Sequence, residues 1–170
     1  MRLFAAPLLA LAAAGAAIAA PGHAPAPKVA VASFDQLPQP LPLPYDAEAD
    51  AVKAVAAAKA KARAERKLLL IDLGGNWCLD CRILAGTMKL PRLKPFLDKH
   101  YVEVMVDVGR FDRNLAIPAH YGITRLRGVP AILIVDPRTD RLKNAGRAEA
   151  LADARHMTPQ ALADWLAQWT

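Results

Sequence analysis

The chain has 170 residues, a formal net charge of +6 and a hydrophobic fraction of 54% that owes much to alanine. That length suits one domain with appendages, and two cysteines are too few for a disulfide-stapled scaffold. The positive charge is scattered and aromatic residues make up only 6%, which excludes the basic, aromatic-interleaved stripe of a nucleic-acid binder.

Met1-Arg2 is a short basic start, residues 3–20 are apolar, and Ala17-Ile18-Ala19 is a small-residue cleavage site. This pattern predicts a signal peptide over residues 1–19 and export, to the periplasm. An uncleaved membrane anchor is the alternative, because the apolar run is just long enough to span a bilayer. Pro7 and the lack of a basic stop after the run favour cleavage. Residues 20–44 carry Pro21, Pro25, Pro27, Pro38, Pro40, Pro42 and Pro44. They read as an extended tether that builds no core.

A helix is expected over residues 45–66. Asp46 is its cap, Glu48 and Asp50 lie in its first turn, and Lys59, Lys61, Arg63, Arg66 and Lys67 gather at its end, where cations suit the helix dipole. Val52, Val55 and Ala56 form a narrow apolar stripe that would pack on the surface of the domain beyond.

From residue 67 the pattern alternates. Strand-like runs cover 68–73, 101–108 and 131–135, with a weaker one at 142–145, and helical segments cover 78–88, 93–100, 114–121 and 159–169. Thr158 before Pro159 is an N-cap with proline at the first helical position. Leu162, Trp165, Leu166 and Trp169 share one face of the last helix and suit packing.

The chemistry lies between the first strand and its helix, in Asn76-Trp77-Cys78-Leu79-Asp80-Cys81. A C-x-x-C pair at a helix start reads as a redox dithiol, since free N–H groups and the helix dipole favour the reactive thiolate. Cys78, at the helix tip, is the expected attacking thiolate, and Cys81, one turn in, the resolving thiol. A purely structural bridge closing so short a loop would stabilise little. A metal site is the competing chemistry, but two thiolates are half of a zinc shell. His23, His100, His120 and His156 show no ligand spacing, so no metal is expected. Asp72, at the end of an apolar strand six residues before Cys78, would have a raised pKa if buried and could exchange a proton with Cys81. Gly128-Val129-Pro130 opens the run 131–135. Proline suits a strand start, and a cis bond there is plausible.

Taken in order, Asp72, Trp77-Cys78-x-x-Cys81 with Arg82 after it, Tyr121-Gly122-Ile123 and Gly128-Val129-Pro130 make residues 67–169 resemble the thioredoxin family. The resemblance implies an α/β fold, a thioredoxin-like three-layer α/β/α sandwich with a central mixed sheet of about four strands. The additional helix would precede it. The resemblance also implies that Pro130 is cis and lies against the dithiol, that Val129 offers its backbone to an extended substrate, and that Trp77 flanks the site. The expected activity is thiol–disulfide exchange on protein disulfides, by a monomer without a bound cofactor. A separate redox partner, membrane-bound, would recharge the pair.

The departures from the family carry information. Leu79-Asp80 stands where thioredoxins have Gly-Pro. A negative charge beside Cys78 opposes its thiolate and makes the dithiol a better reductant, so reduction is expected over oxidation or isomerisation. A binding module using the Val129-Pro130 edge is the non-catalytic alternative. Gly86 replaces the proline that kinks the active-site helix, and Glu103 aligns with the lysine that faces the buried aspartate. If Glu103 points at Asp72, two carboxyls share that site. Residues 124–126 lengthen the loop before Gly128, where Arg125 and Arg127 would add positive charge near the thiols, contact a partner, or stand as plain surface arginines, and residues 147–157 form a further insertion.

Overall fold

The computed structural model describes residues 23–170. The signal segment and anchor alternative read from residues 1–19 lie outside the described residues. Among those described, no helix is long and apolar enough to cross a membrane.

The elements are α1 (Ala51–Glu65), β1 (Leu68–Gly74), α2 (Leu79–Met88), α3 (Leu93–His100), β2 (Tyr101–Asp107), α4 (Ala116–His120), β3 (Ala131–Asp136), β4 (Arg141–Leu142) and α5 (Pro159–Ala167). The sheet order is β2-β1-β3-β4, with β1 parallel to β2 and antiparallel to β3, and β3 antiparallel to β4. It is the mixed four-stranded sheet expected. Side chains alternate across each strand, so one run of apolar residues builds two cores. Leu69, Ile71, Leu73, Val106, Leu133 and Val135 face Val55 and Ala62 of α1. Leu70, Ile132 and Ile134 face the layer of α2, α3 and α5 through Leu84, Leu97, Leu162 and Leu166.

Three local outcomes differ from the sequence reading. Helix α1 starts at Ala51, because Asp50 takes the cap by accepting from Lys53 N–H. Asp46 instead turns the chain by accepting from Glu48 N–H at 2.9 Å. Strand β4 ends at Leu142, since the buried Asn144 side chain then does the work of a strand. Its Oδ1 accepts from Ile134 N–H at 2.9 Å, and its Nδ2 donates to Ile132 O at 2.7 Å.

The proline-rich segment is the third. Its described residues, 23–44, lie along the domain as a strap instead of standing off as a tether. Leu37 is buried in the α2–α5 core, with Val29, Val31, Phe34 and Leu41 packed around it. Gln160 accepts from Val29 N–H, and Arg82 donates to Leu41 O and Pro42 O at 3.0 and 3.3 Å. Gly86 makes room, because a Cβ there would meet Leu41 Cδ2 at 3.3 Å and Leu37 Cδ1 at 3.4 Å. Proline-rich chain can pack because its extended backbone arrives partly ordered. Burial of Leu37, worth about 1.5–3 kcal/mol, and the partial burial of Val29, Val31, Phe34 and Leu41 offset the rest of the ordering cost.

Candidate active site

The dithiol sits where β1 hands over to α2. Cys78 is the N-cap of α2, and its Sγ accepts from Cys81 N–H at 3.2 Å. The two cysteines form a disulfide with Cα atoms 5.3 Å apart. Cys78 is 4% exposed and Cys81 fully buried. The order of access expected from the sequence is present, but Cys78 is far less open than a bare helix tip. The Val129–Pro130 peptide is cis, and Val129 O stands 3.4 Å from Cys78 Sγ. The loop before β3 therefore covers the attacking sulfur with a carbonyl.

Trp77 forms the outer flank and is 43% exposed. Its Nε1 donates to Gly109 O at 2.7 Å, the Arg110 guanidinium lies 4.3 Å from its ring centroid, and Phe111 meets it edge-on at 6.2 Å. Gly109 sits at φ +57°, a conformation open to glycine at little cost, and this turns its carbonyl toward the indole.

Asp72 is fully buried. It shares a strand face with Gly74, two residues on. A Cβ on Gly74 would stand 2.4 Å from Tyr45 Oη and 2.9 Å from Cys81 Sγ. Those two atoms occupy the space over that face, no farther apart than the two distances combined. Tyr45 closes it by donating from its hydroxyl to Asp72 Oδ1 at 2.8 Å. Asp72 Oδ2 has no hydrogen-bond partner among the described residues. Burial pushes the Asp72 carboxyl up, the Tyr45 hydrogen bond pulls it back, and the Glu103 charge pushes it up again, to about 7. Burial, then the charge of Asp72, raises the Tyr45 phenol far above its ordinary range.

Glu103 lies on the same sheet face as Asp72, two residues out of register, and acts on it through its charge alone. In the β1–β2 register it pairs with Leu70, while Asp72 pairs with Met105. Burial raises the Glu103 carboxyl, opposed by Lys94 and aided by Asp98. The group beside Asp72 is Tyr45. It is held by Asn76, whose Oδ1 accepts from Tyr45 N–H and whose Nδ2 donates to Tyr45 O at 2.7 Å. Reading of the sequence missed Tyr45. Its only signal was an aromatic residue directly after the last proline of the strap.

Asp80 is likewise not a bare charge beside Cys78. It is 5% exposed and ion-paired to Arg155, from the 147–157 insertion. Burial would raise its carboxyl, but the Arg155 side chain and backbone together hold it below the ordinary aspartate value. Asp80 is therefore ionised but locally neutralised. The expectation that its charge sets the direction of electron flow loses its basis.

A thioredoxin-like family model matches residues 50–137, just over half of the chain. Among solved structures, a disulphide isomerase from Xylella fastidiosa Temecula1 is 36% identical, covering 75% of this chain and 96% of that one with a TM-score of 0.69. A protein of unknown function from Pseudomonas aeruginosa aligns at 20% identity over 70% of this chain and 83% of that one, with a TM-score of 0.36, too low to bear on function. No match was found among the curated proteins.

Proposed function

The chain belongs to the thioredoxin-like family and is a thiol–disulfide oxidoreductase with its dithiol at Cys78 and Cys81, and from that premise we propose that it reduces disulfide bonds in exported proteins. Export rests on the apolar N-terminal segment alone.

The reaction runs from the reduced dithiol. The Cys78 thiolate attacks one sulfur of a substrate disulfide, forming a mixed disulfide and expelling the other substrate sulfur as a thiolate, which takes up a proton. Cys81 gives its proton to Asp72, and its thiolate attacks Cys78 Sγ. The second substrate thiolate leaves and is protonated in turn. The substrate gains two electrons and two protons, and the Cys78–Cys81 pair becomes a disulfide. An external dithiol on a membrane-bound partner protein returns it to the reduced form. Val129 and the cis Pro130 offer backbone to the incoming chain, and Trp77 flanks its path.

The observation that carries the direction is the setting of Cys78. One N–H favours its thiolate, but near-complete burial and the Val129 carbonyl at 3.4 Å oppose it. A reduced form that is poorly stabilised gives up its electrons readily. Isomerisation is the second reading, favoured by the name of the Xylella structure. It shares the first attack and differs in that Cys78 is released by another substrate thiol.

The test uses Cys81→Ala in the native compartment, where mixed disulfides through Cys78 identify substrates. With the reduced native protein, each Cys78–Cys81 disulfide formed should release two substrate thiols. Restoration of native pairing in a scrambled protein without net thiol release would assign isomerisation instead. A folded Cys81→Ala protein that forms no adduct would falsify the oxidoreductase reading.

A further inference from the structure

A groove of about 460 Å³ lies between the segments around Phe111 and Arg125. Phe111, Leu115, Pro118 and Ile123 form its apolar wall, Arg125 and Arg127 its rim, and no carboxylate lines it. Each end lies close to a residue that borders the reactive sulfur. Phe111 stacks edge-on against Trp77, the residue before Cys78. Arg127 lies two residues before Val129, whose carbonyl touches Cys78 Sγ, a span of roughly 7 Å at full extension.

Two features mark this surface as one that awaits a partner. Trp77, Leu79, Phe111 and Leu115 are four of the six large apolar side chains left exposed among the described residues, so exposed apolar area is concentrated around the dithiol. The nearby cations are also unspent. Arg110, Arg125 and Arg127 have no ion-pair partner among the described residues. The nearby carboxylates are turned to the backbone. Asp112 Oδ1 accepts from Arg110 N–H, and Glu149 Oε1 accepts from Arg127 N–H at 2.6 Å. In a fold this basic, an apolar floor rimmed by the unpaired guanidiniums of Arg125 and Arg127 is complementary to one chemistry.

We propose that the groove binds the extended chain flanking the substrate cysteine, and that it selects segments carrying an acidic residue next to an apolar one. The apolar side chain lies on Phe111 and Leu115, the carboxylate meets Arg125 or Arg127, and the sulfur is delivered to Cys78. This rests on the oxidoreductase reading and adds the substrate class.

The test compares two peptides, each with one internal disulfide and a leucine beside the reactive cysteine, that differ only in glutamates or lysines on that flank. Neutral hydroxyethyl disulfide serves as the small reference substrate. With the reduced full chain at low salt, the glutamate peptide should show a kcat/KM about tenfold higher, carried by KM, from two exposed charge contacts. High salt should bring the two together. R125E/R127E should invert the ratio, and R125A/R127A should level it. Because the readout is a ratio of two substrates on one protein, partial loss of folded protein does not obscure it. Equal kcat/KM for both peptides while hydroxyethyl disulfide turns over would overturn the proposal and leave the oxidoreductase reading standing. A preference unchanged in both double variants would overturn it as well. Failure on all three substrates would remove the oxidoreductase reading, and the proposal with it.

Discussion

The Arg155 guanidinium grips the Asp80 carboxylate two residues from Cys78. Its Nη2 stands 2.5 Å from Oδ2, its Nε lies 3.0 and 3.1 Å from the two oxygens, and its backbone N–H donates to Oδ1 at 2.8 Å. The 147–157 insertion thus reaches back to the active-site helix and cancels the charge that the sequence places inside the C-x-x-C motif. Arg155→Ala should unmask that charge and oppose the Cys78 thiolate. Alkylation of reduced Cys78 at pH 7 should slow roughly tenfold, the effect of one pKa unit. Asp80→Asn combined with Arg155→Ala should restore the rate. An unchanged rate in Arg155→Ala would mean that the pair is structural only.

Asp72 gives stability a pH dependence of definite sign. Its folded pKa of about 7 lies above the unfolded value of about 3.9, so the folded state holds the extra proton between them. Stability is full at acid pH, falls as pH rises from about 4 to 7, and is level beyond that. Asp72→Asn should leave urea stability unchanged at pH 3 to 4 and raise it at pH 8, by on the order of 4 kcal/mol at most. It should also slow resolution by Cys81. Tyr45→Phe removes the one hydrogen bond that lowers the Asp72 pKa, so its stability should go on falling above pH 7, where that of the native protein is level. A flat stability difference from pH 4 to 8 in Asp72→Asn would contradict this account.

The strap predicts a cost at Leu37. The side chain is 2% exposed in the core beneath α2 and α5, and Leu37→Ala should lower unfolding free energy by about 2–4 kcal/mol. Urea denaturation at neutral pH measures it. A free tether would show no change.

Gly74 has no room for a side chain, with Tyr45 Oη and Cys81 Sγ both inside van der Waals distance of a Cβ. Gly74→Ala should destabilise by roughly 1–3 kcal/mol through overpacking. It should also displace the Tyr45 hydroxyl, seen as a shift in the pH profile of Cys81 release. If Gly74→Ala left both readouts at wild-type values, the close packing of Tyr45 over Asp72 would be disproved.

Much of the architecture was legible because its causes are local. The run 68–73 is apolar at nearly every position and bounded by a helix and a turn, so strand β1 follows from period and neighbours. Thr158-Pro159 announces the start of α5, and the Thr158 side chain does accept from Ala161 N–H. The strap was misread because proline content reports backbone stiffness and says nothing of where a stiff segment docks. The shortening of β4 was hidden because Asn144 supplies from its side chain what a strand supplies from its backbone.

By itself the sequence determined the dithiol and the strand and helix that present it. Those depend on residues adjacent in the chain and on the alternation that sorts apolar side chains into two cores. Only the tertiary structure decided the electrostatics of the site. Tyr45 reaches Asp72 across 27 residues, and Arg155 reaches Asp80 across 75. Periodicity and capping act over a few residues, whereas burial and charge pairing depend on distance in space. Thus Asp80 and Glu103, which look like the telling carboxylates in the sequence, leave that role in the folded protein to Asp72 and its tyrosine.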